Sequence, residues 1–375
     1  FPTANLNARR IASALEAPGC HRRTILEASE TNIDRLGDLV TGDQIDRQSP
    51  FAITRGNKFE KVVTDHGMAT VLSLAREHLG LEIPEARQKD LSAPSVRSEF
   101  PDTPSGRMNE RRGLLTRQYV EQMLTNPEFA INLLRHAMTT LNFGGVMAYL
   151  EQDVLAFTIR GRIHVVEIKS FPQIDGRADP TKASATVRQA AVYVLSLQEL
   201  ARSVGASPDV VDTNVMIILP ENLSFSATAS VVDTSVQVRR LRRQLNEVPH
   251  TARILAGLPP GSCLPPLPRS NSSEEIAPSR AAAREALSAL PCRFGDGCTS
   301  CPLFRFCRQE AAGQRLVARL GTQVAGVCGS VTTVDAALDL AAGRRNPADP
   351  GEAAAAEQLA RSAAVLASID GGRAA

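Results

Sequence analysis

The sequence predicts an α/β fold: a central mixed sheet with helices on both sides and a cysteine-rich C-terminal lobe. Three stretches predict it. Asp153 to Lys169, DVLAFTIRGRIHVVEIK, sets two apolar, β-rich runs on either side of Arg160-Gly161-Arg162, which reads as a hairpin. Asn214 to Leu219, NVMIIL, is an apolar run bounded by Pro220, the pattern of a buried strand. Between them Asp179-Pro180 opens a long helix, with Asp as N-cap and Pro at the first helical position. Gly205 ends that helix.

The remaining elements follow in order. Residues 4 to 17 are expected to be helical, and Ala17-Pro18-Gly19 breaks the chain before Cys20. Helices are expected from Pro50 to Gly67 and over 68 to 80. Residues 84 to 113 are polar and rich in Pro, Ser and Arg, and read as a loop or disordered insertion. Helices are expected at 114 to 125 and 127 to 141, after which Gly144-Gly145 leads into the first strand. Residues 227 to 232 read as an edge strand, and Asp233 caps the helix TSVQVRRLRRQLNEV. A Pro- and Ser-rich linker and Ala-rich helices complete the chain. The expected organisation is an N-terminal helical segment at 1–48, a core at 49–257 with a helical insertion at 84–142, a linker at 258–280, a cysteine lobe at 281–320 and a helical tail at 321–375.

The hairpin carries the candidate chemistry. A three-residue loop would pair Ile159 with Ile163, placing Asp153 opposite Lys169 and Leu155 opposite Glu167. Side chains alternate along a strand, so Asp153, Glu167 and Lys169 share a face. Two neighbouring carboxylates repel and call for a cation, and oxygen-only ligands suit Mg²⁺ or Mn²⁺. A lysine beside such an ion orients a water or steadies phosphate charge. The plainer alternative is a buried salt bridge at a strand end. Gln189 and Tyr193, four apart, share a face of the long helix; their plain reading is a core tyrosine with an exposed glutamine.

A chain of 375 residues has ample length for a large core, and a net charge of +2 means that any basic site is local. Arg107, Arg111, Arg112 and Arg117 form one basic cluster, and Arg239, Arg240, Arg242 and Arg243 another. Each is a candidate DNA contact or a solvated face. No Walker A sequence occurs, so no ATP motor is expected. No apolar run is long enough to span a bilayer. With seven cysteines, an odd count, and no secretion signal, a disulfide framework is not expected and a cytoplasmic location is. Cys292, Cys298, Cys301 and Cys307 crowd into PCRFGDGCTSCPLFRFC, a density that asks for a metal.

Four pieces taken together resemble one family: Arg55-Gly56-Asn57-Lys58-Phe59-Glu60, then Asp153, then Glu167-Ile168-Lys169, then Gln189-Ala190-Ala191-Val192-Tyr193. Their order and spacing are similar to the RecB-like branch of the PD-(D/E)XK nucleases. There a helical G-x-x-x-H, an Asp, an E/D-x-K strand and a Q-x-x-x-Y helix build the site. Glu60 stands four residues after Gly56, where the family has His. Cys298, Cys301 and Cys307, spaced C-x₂-C-x₅-C, with Cys20 near the N-terminus, resemble the iron–sulfur nucleases: the Cas-four-type CRISPR-adaptation exonucleases and the nuclease domain of AddB.

The resemblance implies a restriction-endonuclease-like core and a 4Fe–4S cluster on Cys20, Cys298, Cys301 and Cys307 that ties the two ends of the chain. It implies Mg²⁺ or Mn²⁺ held by Glu60, Asp153, Glu167 and the Ile168 carbonyl. Lys169 would position a water, and Gln189 and Tyr193 would hold DNA. The implied activity is metal-dependent cleavage of DNA at ends or single strands, often exonucleolytic. The implied protein partners are a helicase, a CRISPR-adaptation protein or a defence-system protein. Two alternatives stay open. One is an iron–sulfur nucleic-acid-binding subunit without its own cleavage. The other is a zinc protein with a local site of Cys292, Cys298, Cys301 and Cys307.

Overall fold

The computed structural model describes residues 2–42, 50–80, 86–126, 131–159, 162–268 and 272–371. Helices α1 (Ala8–Leu15), α2 (His21–Ala28), α3 (Ile33–Thr41) and α4 (Pro50–Leu79) come first. Strand β1 (Gln88–Asp90), helices α5 (Ala93–Glu99) and α6 (Met108–Thr125), and strands β2 (Leu133–Phe143), β3 (Val146–Ile159) and β4 (Arg162–Ile168) follow. A two-stranded hairpin of β5 (Gln173–Ile174) and β6 (Arg177–Ala178) precedes α7 (Pro180–Ser203), β7 (Asn214–Pro220), β8 (Ala227–Asp233) and α8 (Ser235–Glu247). The chain closes with α9 (Thr251–Ala256), α10 (Ser273–Ser288), α11 (Phe304–Gln314), α12 (Thr322–Cys328), α13 (Val334–Ala341) and α14 (Pro350–Gly371).

The chain divides into two compact units. The sheet unit comprises residues 5–15 and 46–248. Its six-stranded mixed sheet runs in the order β1-β2-β3-β4-β7-β8, with β4 parallel to β7 and β2, β3 and β4 antiparallel in sequence. From Ile163 on, β4 is buried throughout, as expected of a central strand covered on both faces. Phe59 and Val63 of α4 pack on Val166, Ile168, Met216 and Ile218. Alternation turns Glu167 to the opposite face, on which α7 packs. Asp179 caps α7 as expected, its carboxylate accepting from the Lys182 N–H at 2.8 Å. β8 lies at the sheet edge, also as expected.

Three local expectations are corrected. Residues 133–143, expected to be the second half of a helix over 127–141, form β2; residues 127–130 lie outside the described residues. Leu, Ala and Met are good helix formers, but propensity is easily overridden and pairing with β3 along the strand outweighs it. Gly144-Gly145 is therefore the β2–β3 turn, with φ of 60° and 89° as a type I′ turn requires. The polar stretch 84–113 holds β1, α5 and the start of α6. The hairpin register also differs from expectation. Val154 pairs with Val166 and Thr158 with Ile163, across an irregularity between Ala156 and Thr158. The tip at Arg160-Gly161 lies outside the described residues. The two helices expected over 50–80 are present within α4, separated by a break at Asp65 to Met68 where His66, Gly67 and Met68 take left-handed backbone.

The second unit comprises residues 1–4, 16–45 and 249–375. It joins α2 and α3 to the cysteine stretch: Leu26, Leu36 and Val40 share a core with Ala283, Leu287, Leu303 and Phe306. Among the described residues no helix is long and apolar enough to cross a membrane.

Candidate active site

The register of the β3–β4 hairpin brings Asp153 beside the end of β4. Counting from Val154↔Val166 places Asp153 across from Glu167, two residues from the expected register. An even shift keeps each side chain on its face, so the expected grouping survives it. Asp153 Oδ2 accepts a hydrogen bond from the Ile168 N–H at 3.3 Å. Glu167 is 0 % exposed, and neither of its carboxylate oxygens has a hydrogen-bond partner. Lys169 Nζ lies 2.5 Å from Glu167 Oε1, an ion pair without hydrogen-bond direction. Burial pushes Glu167 up to about 7; Lys169 opposes the rise and the Asp153 charge adds to it. Asp153 is raised by burial, against the pull of Lys169 and the Ile168 N–H.

Glu60 reaches the same charges from α4. Burial raises its pKa, Asp153 raises it further, and His136 and Arg135 oppose the rise. Glu60 also raises Glu167, so the three carboxylates form one mutually repelling group. Gly56 lets α4 approach the chain just past β4: a Cβ there would stand 3.2 Å from Ser170 Oγ. From α7, Gln189 Nε2 donates to Tyr193 Oη at 3.1 Å. Tyr193 is buried, and burial with the charges of Glu167 and Asp153 pushes its hydroxyl well above its ordinary range. The structure thus brings together Glu60, Asp153, Glu167, Lys169, Gln189 and Tyr193. Ile168 ends β4 beside Ile218, where the Lys169 N–H donates to the Ile218 carbonyl at 3.0 Å.

Sequence reasoning missed a second network at this site. His136 lies in β2 with φ of 51°, left-handed backbone that is rare for a non-glycine residue. The ladder passes from Arg135↔Val154 to Ala137↔Gln152, so the position of Asp153 and His136 is unpaired. His136 Nδ1 meets Glu151 Oε1 at 3.1 Å. Arg112, 3 % exposed, donates to Glu151, to the His136 carbonyl and to the Leu91 carbonyl. Burial would raise Glu151, but His136 and Arg112 outweigh it and hold the carboxyl down at about 2. The hydrogen bond to Glu151 raises His136. The only advance signal was Gly144-Gly145, which would have marked 133–143 as a strand. Arg112 therefore leaves the basic cluster that was a candidate DNA contact or solvated face. Arg117 is bound to Ser203 and Arg111 stacks on Phe100, 3.9 Å from the ring centroid. Arg242 donates to Gln198 at 2.6 Å.

The second unit gathers thiols. Cys20 stands just before α2, and the Arg22 N–H donates to the Pro291 carbonyl at 3.0 Å, pinning this end of the chain to the cysteine stretch. Gly295 permits close passage, since a Cβ there would meet the Glu16 carbonyl at 2.7 Å. The charges of Cys20, Cys292, Cys298 and Cys301 interact, and Cys292 hydrogen-bonds Cys307. Burial raises Cys20 and pushes Cys298 up to about 11. The bond from Cys307, with Arg22 and Arg319 nearby, draws Cys292 down to about 6. Five thiols are thus grouped: the four expected as cluster ligands, and Cys292. Cys328 is buried in a separate apolar cluster with Val317 and Val331, and Cys263 is exposed.

Two arginines, Arg22 buried and Arg23 partly buried, face these sulfurs, and sequence reasoning did not single them out. Arg22, 1 % exposed, donates to Cys307 Sγ at 3.1 Å and to Glu310 at 2.8 Å. Arg23 hydrogen-bonds Cys301 and pairs with Glu27 at 2.6 Å.

The donor chemistry of both places suits a positive guest. The unpartnered oxygens of buried Glu167 beside Asp153 suit a divalent ion, and grouped thiols suit iron–sulfur or zinc. Among the described residues, no group of three or more His, Cys, Asp or Glu side chains is arranged to hold a metal ion.

No family model and no curated protein matches the sequence. Among solved structures, one titled "Crystal structure of SSO0001" is similar at 14 % identity, over 46 % of this chain and 82 % of its own, with a TM-score of 0.18.

Proposed function

We propose that this protein is a metal-dependent DNA nuclease of the RecB-like PD-(D/E)XK type, built on a restriction-endonuclease-like core and acting on single strands or DNA ends. One observation carries the reading. Glu167 is fully buried with both oxygens unmatched, next to Asp153, Glu60 and Lys169. A buried carboxylate costs several kcal/mol unless a positive partner offsets it. Asp153, Glu167, Glu60 and the Ile168 carbonyl would hold Mg²⁺ or Mn²⁺. Such an ion lowers the pKa of a bound water and offsets charge on phosphate. Lys169 would then turn from Glu167 toward the water or a phosphate oxygen. The Ile168 N–H keeps Asp153 oriented, and the Gln189–Tyr193 pair supplies polar groups for the substrate. The test is cleavage of end-labelled DNA with Mg²⁺ or Mn²⁺ and with EDTA. Asp153→Ala and Lys169→Ala should abolish cleavage while remaining folded, and undiminished cleavage by both would refute the site.

The second unit is proposed to carry a 4Fe–4S cluster on Cys20, Cys298, Cys301 and Cys307. Arg22 and Arg23 would balance the negative charge of its thiolates. Anaerobically purified protein should be brown, and Cys20→Ala should lose iron and stability together. A colourless protein that keeps one zinc, and loses it in Cys292→Ala, would favour the local four-cysteine site.

A non-cleaving iron–sulfur or zinc subunit of a larger defence or repair complex is the second reading, favoured by the closed Glu167–Lys169 pair. A cytoplasmic setting, and partnership with a helicase, CRISPR-adaptation or defence protein, belong to the proposal as well.

A further inference from the structure

Beside the carboxylates, the sheet unit presents aromatic and basic side chains that the proposed chemistry does not use. Phe51, Arg55, Lys58 and Val62 recur at helical spacing and form one stripe of α4, away from Phe59 and Val63 in the core. Phe51 is 77 % exposed. The loop after β7 lies against this stripe. Arg55 donates to the Leu223 carbonyl at 3.2 Å, and Lys58 Nζ sits 5.1 Å from the centre of the Phe225 ring. Phe225 stays 36 % exposed and Leu223 71 %. Glu221 is the nearest acid in that loop, and Lys61 adds another cation on α4.

The position matters as much as the composition. β4 and β7 are parallel, so Lys169 and the loop after Pro220 leave the same end of the sheet. The Lys169–Ile218 backbone bond holds those strand ends side by side, and Gly56 brings α4 against Ser170 there. Exposed rings interleaved with cations, opening from the end that holds Glu167 and Lys169, match what single-stranded nucleic acid requires. The cations meet phosphates and the rings stack on bases, whatever the sequence.

We propose that Phe51, Lys58 and Phe225, with Arg55, form a platform that binds single-stranded DNA leading to or from the carboxylate site. The inference rests on the nuclease reading for its direction, but not for its test.

The test is binding of a short fluorescein-labelled oligothymidylate in EDTA, followed by anisotropy over a range of salt, for the parent, Phe51→Leu, Phe225→Leu and Lys58→Gln. Leucine keeps apolar bulk and removes the stacking face. Each leucine variant should bind at least roughly fivefold more weakly, the low end of the cost of losing one stacked base. Lys58→Gln should flatten the slope of log affinity against log salt by about 0.7, as expected for one phosphate contact on a single strand. Parent-like binding by all three variants would overturn the platform, and so would failure of the parent to bind. Mn²⁺-dependent cleavage of duplex ends by the same preparations reports separately on the nuclease reading.

Discussion

Lys169 Nζ stands 2.5 Å from Glu167 Oε1, yet neither Glu167 oxygen accepts a hydrogen bond. The lysine compensates the charge of a fully buried carboxylate without satisfying its lone pairs. That is an arrangement from which a lysine can be displaced by a better-placed cation. Lys169→Met removes the basic residue that lowers Glu167 most. The variant should lose cleavage. Its Glu167 should also titrate above the parent value of about 7, as read by carbon-13 chemical shift.

The raised Glu167 predicts how stability changes with pH. Its folded pKa, about 7, lies above the ordinary value of 4.5, so between these limits the folded state holds the extra proton. The contribution is complete below pH 4.5 and disappears as pH rises through about 7. It amounts to about 3 kcal/mol at 1.36 kcal/mol per unit. Without divalent ions, urea unfolding should give stability that falls over this window, and Glu167→Gln should flatten the fall. Mn²⁺ should stabilise the parent more at pH 8 than at pH 5, because binding requires the carboxylate.

Arg112 is a structural cation. Its three guanidinium nitrogens donate to Glu151, the His136 carbonyl and the Leu91 carbonyl. Arg112→Met should destabilise the sheet unit by roughly 1–3 kcal/mol for each inward-facing carbonyl left without its donor. The salt dependence of DNA binding should not change. Thermal unfolding and anisotropy measured on one preparation separate these effects.

Arg22 has the matching role among the thiols. Arg22→Met leaves Glu310 and the Cys307 sulfur without their shared cation. Anaerobic preparations should contain less iron and unfold at lower temperature. Arg22→Lys should fall between, since an ammonium keeps the charge but not the two-pronged geometry. Full iron content in Arg22→Met would show that the guanidinium does not support the cluster.

Much of the site could be read from residue types and period. Asp153, Glu167 and Lys169 group together although the hairpin register is displaced by two, because strand faces repeat every two residues. Gln189 and Tyr193 form their pair because four residues make one helical turn. What escaped depends on long-range partners. β2 looked helical because Leu, Ala and Met are good helix formers, and its strand state comes from pairing with β3. With β2 misread, His136 had no reason to stand near Asp153. Arg22 was not singled out and Arg112 stood in a basic cluster, because their burial follows from contacts 285 and 39 residues away along the chain.

Glu60 stands on α4 where the resemblance expects a histidine, and burial with the nearby Asp153 charge raises its pKa. Glu60→Gln should weaken the response to metal, and Glu60→His should retain activity with a shift toward Mn²⁺, since imidazole suits softer ions. An exposed ion pair would give about 0–1 kcal/mol and no kinetic effect.

The most direct test of the central claim is the rate of cleavage of end-labelled single-stranded DNA as Mn²⁺ is raised, for the parent and Asp153→Asn. The account predicts a saturating rise for the parent, none in EDTA, and no cleavage by Asp153→Asn at any Mn²⁺ concentration. Equal rates for the two proteins, or a parent that stays inactive throughout, would contradict it.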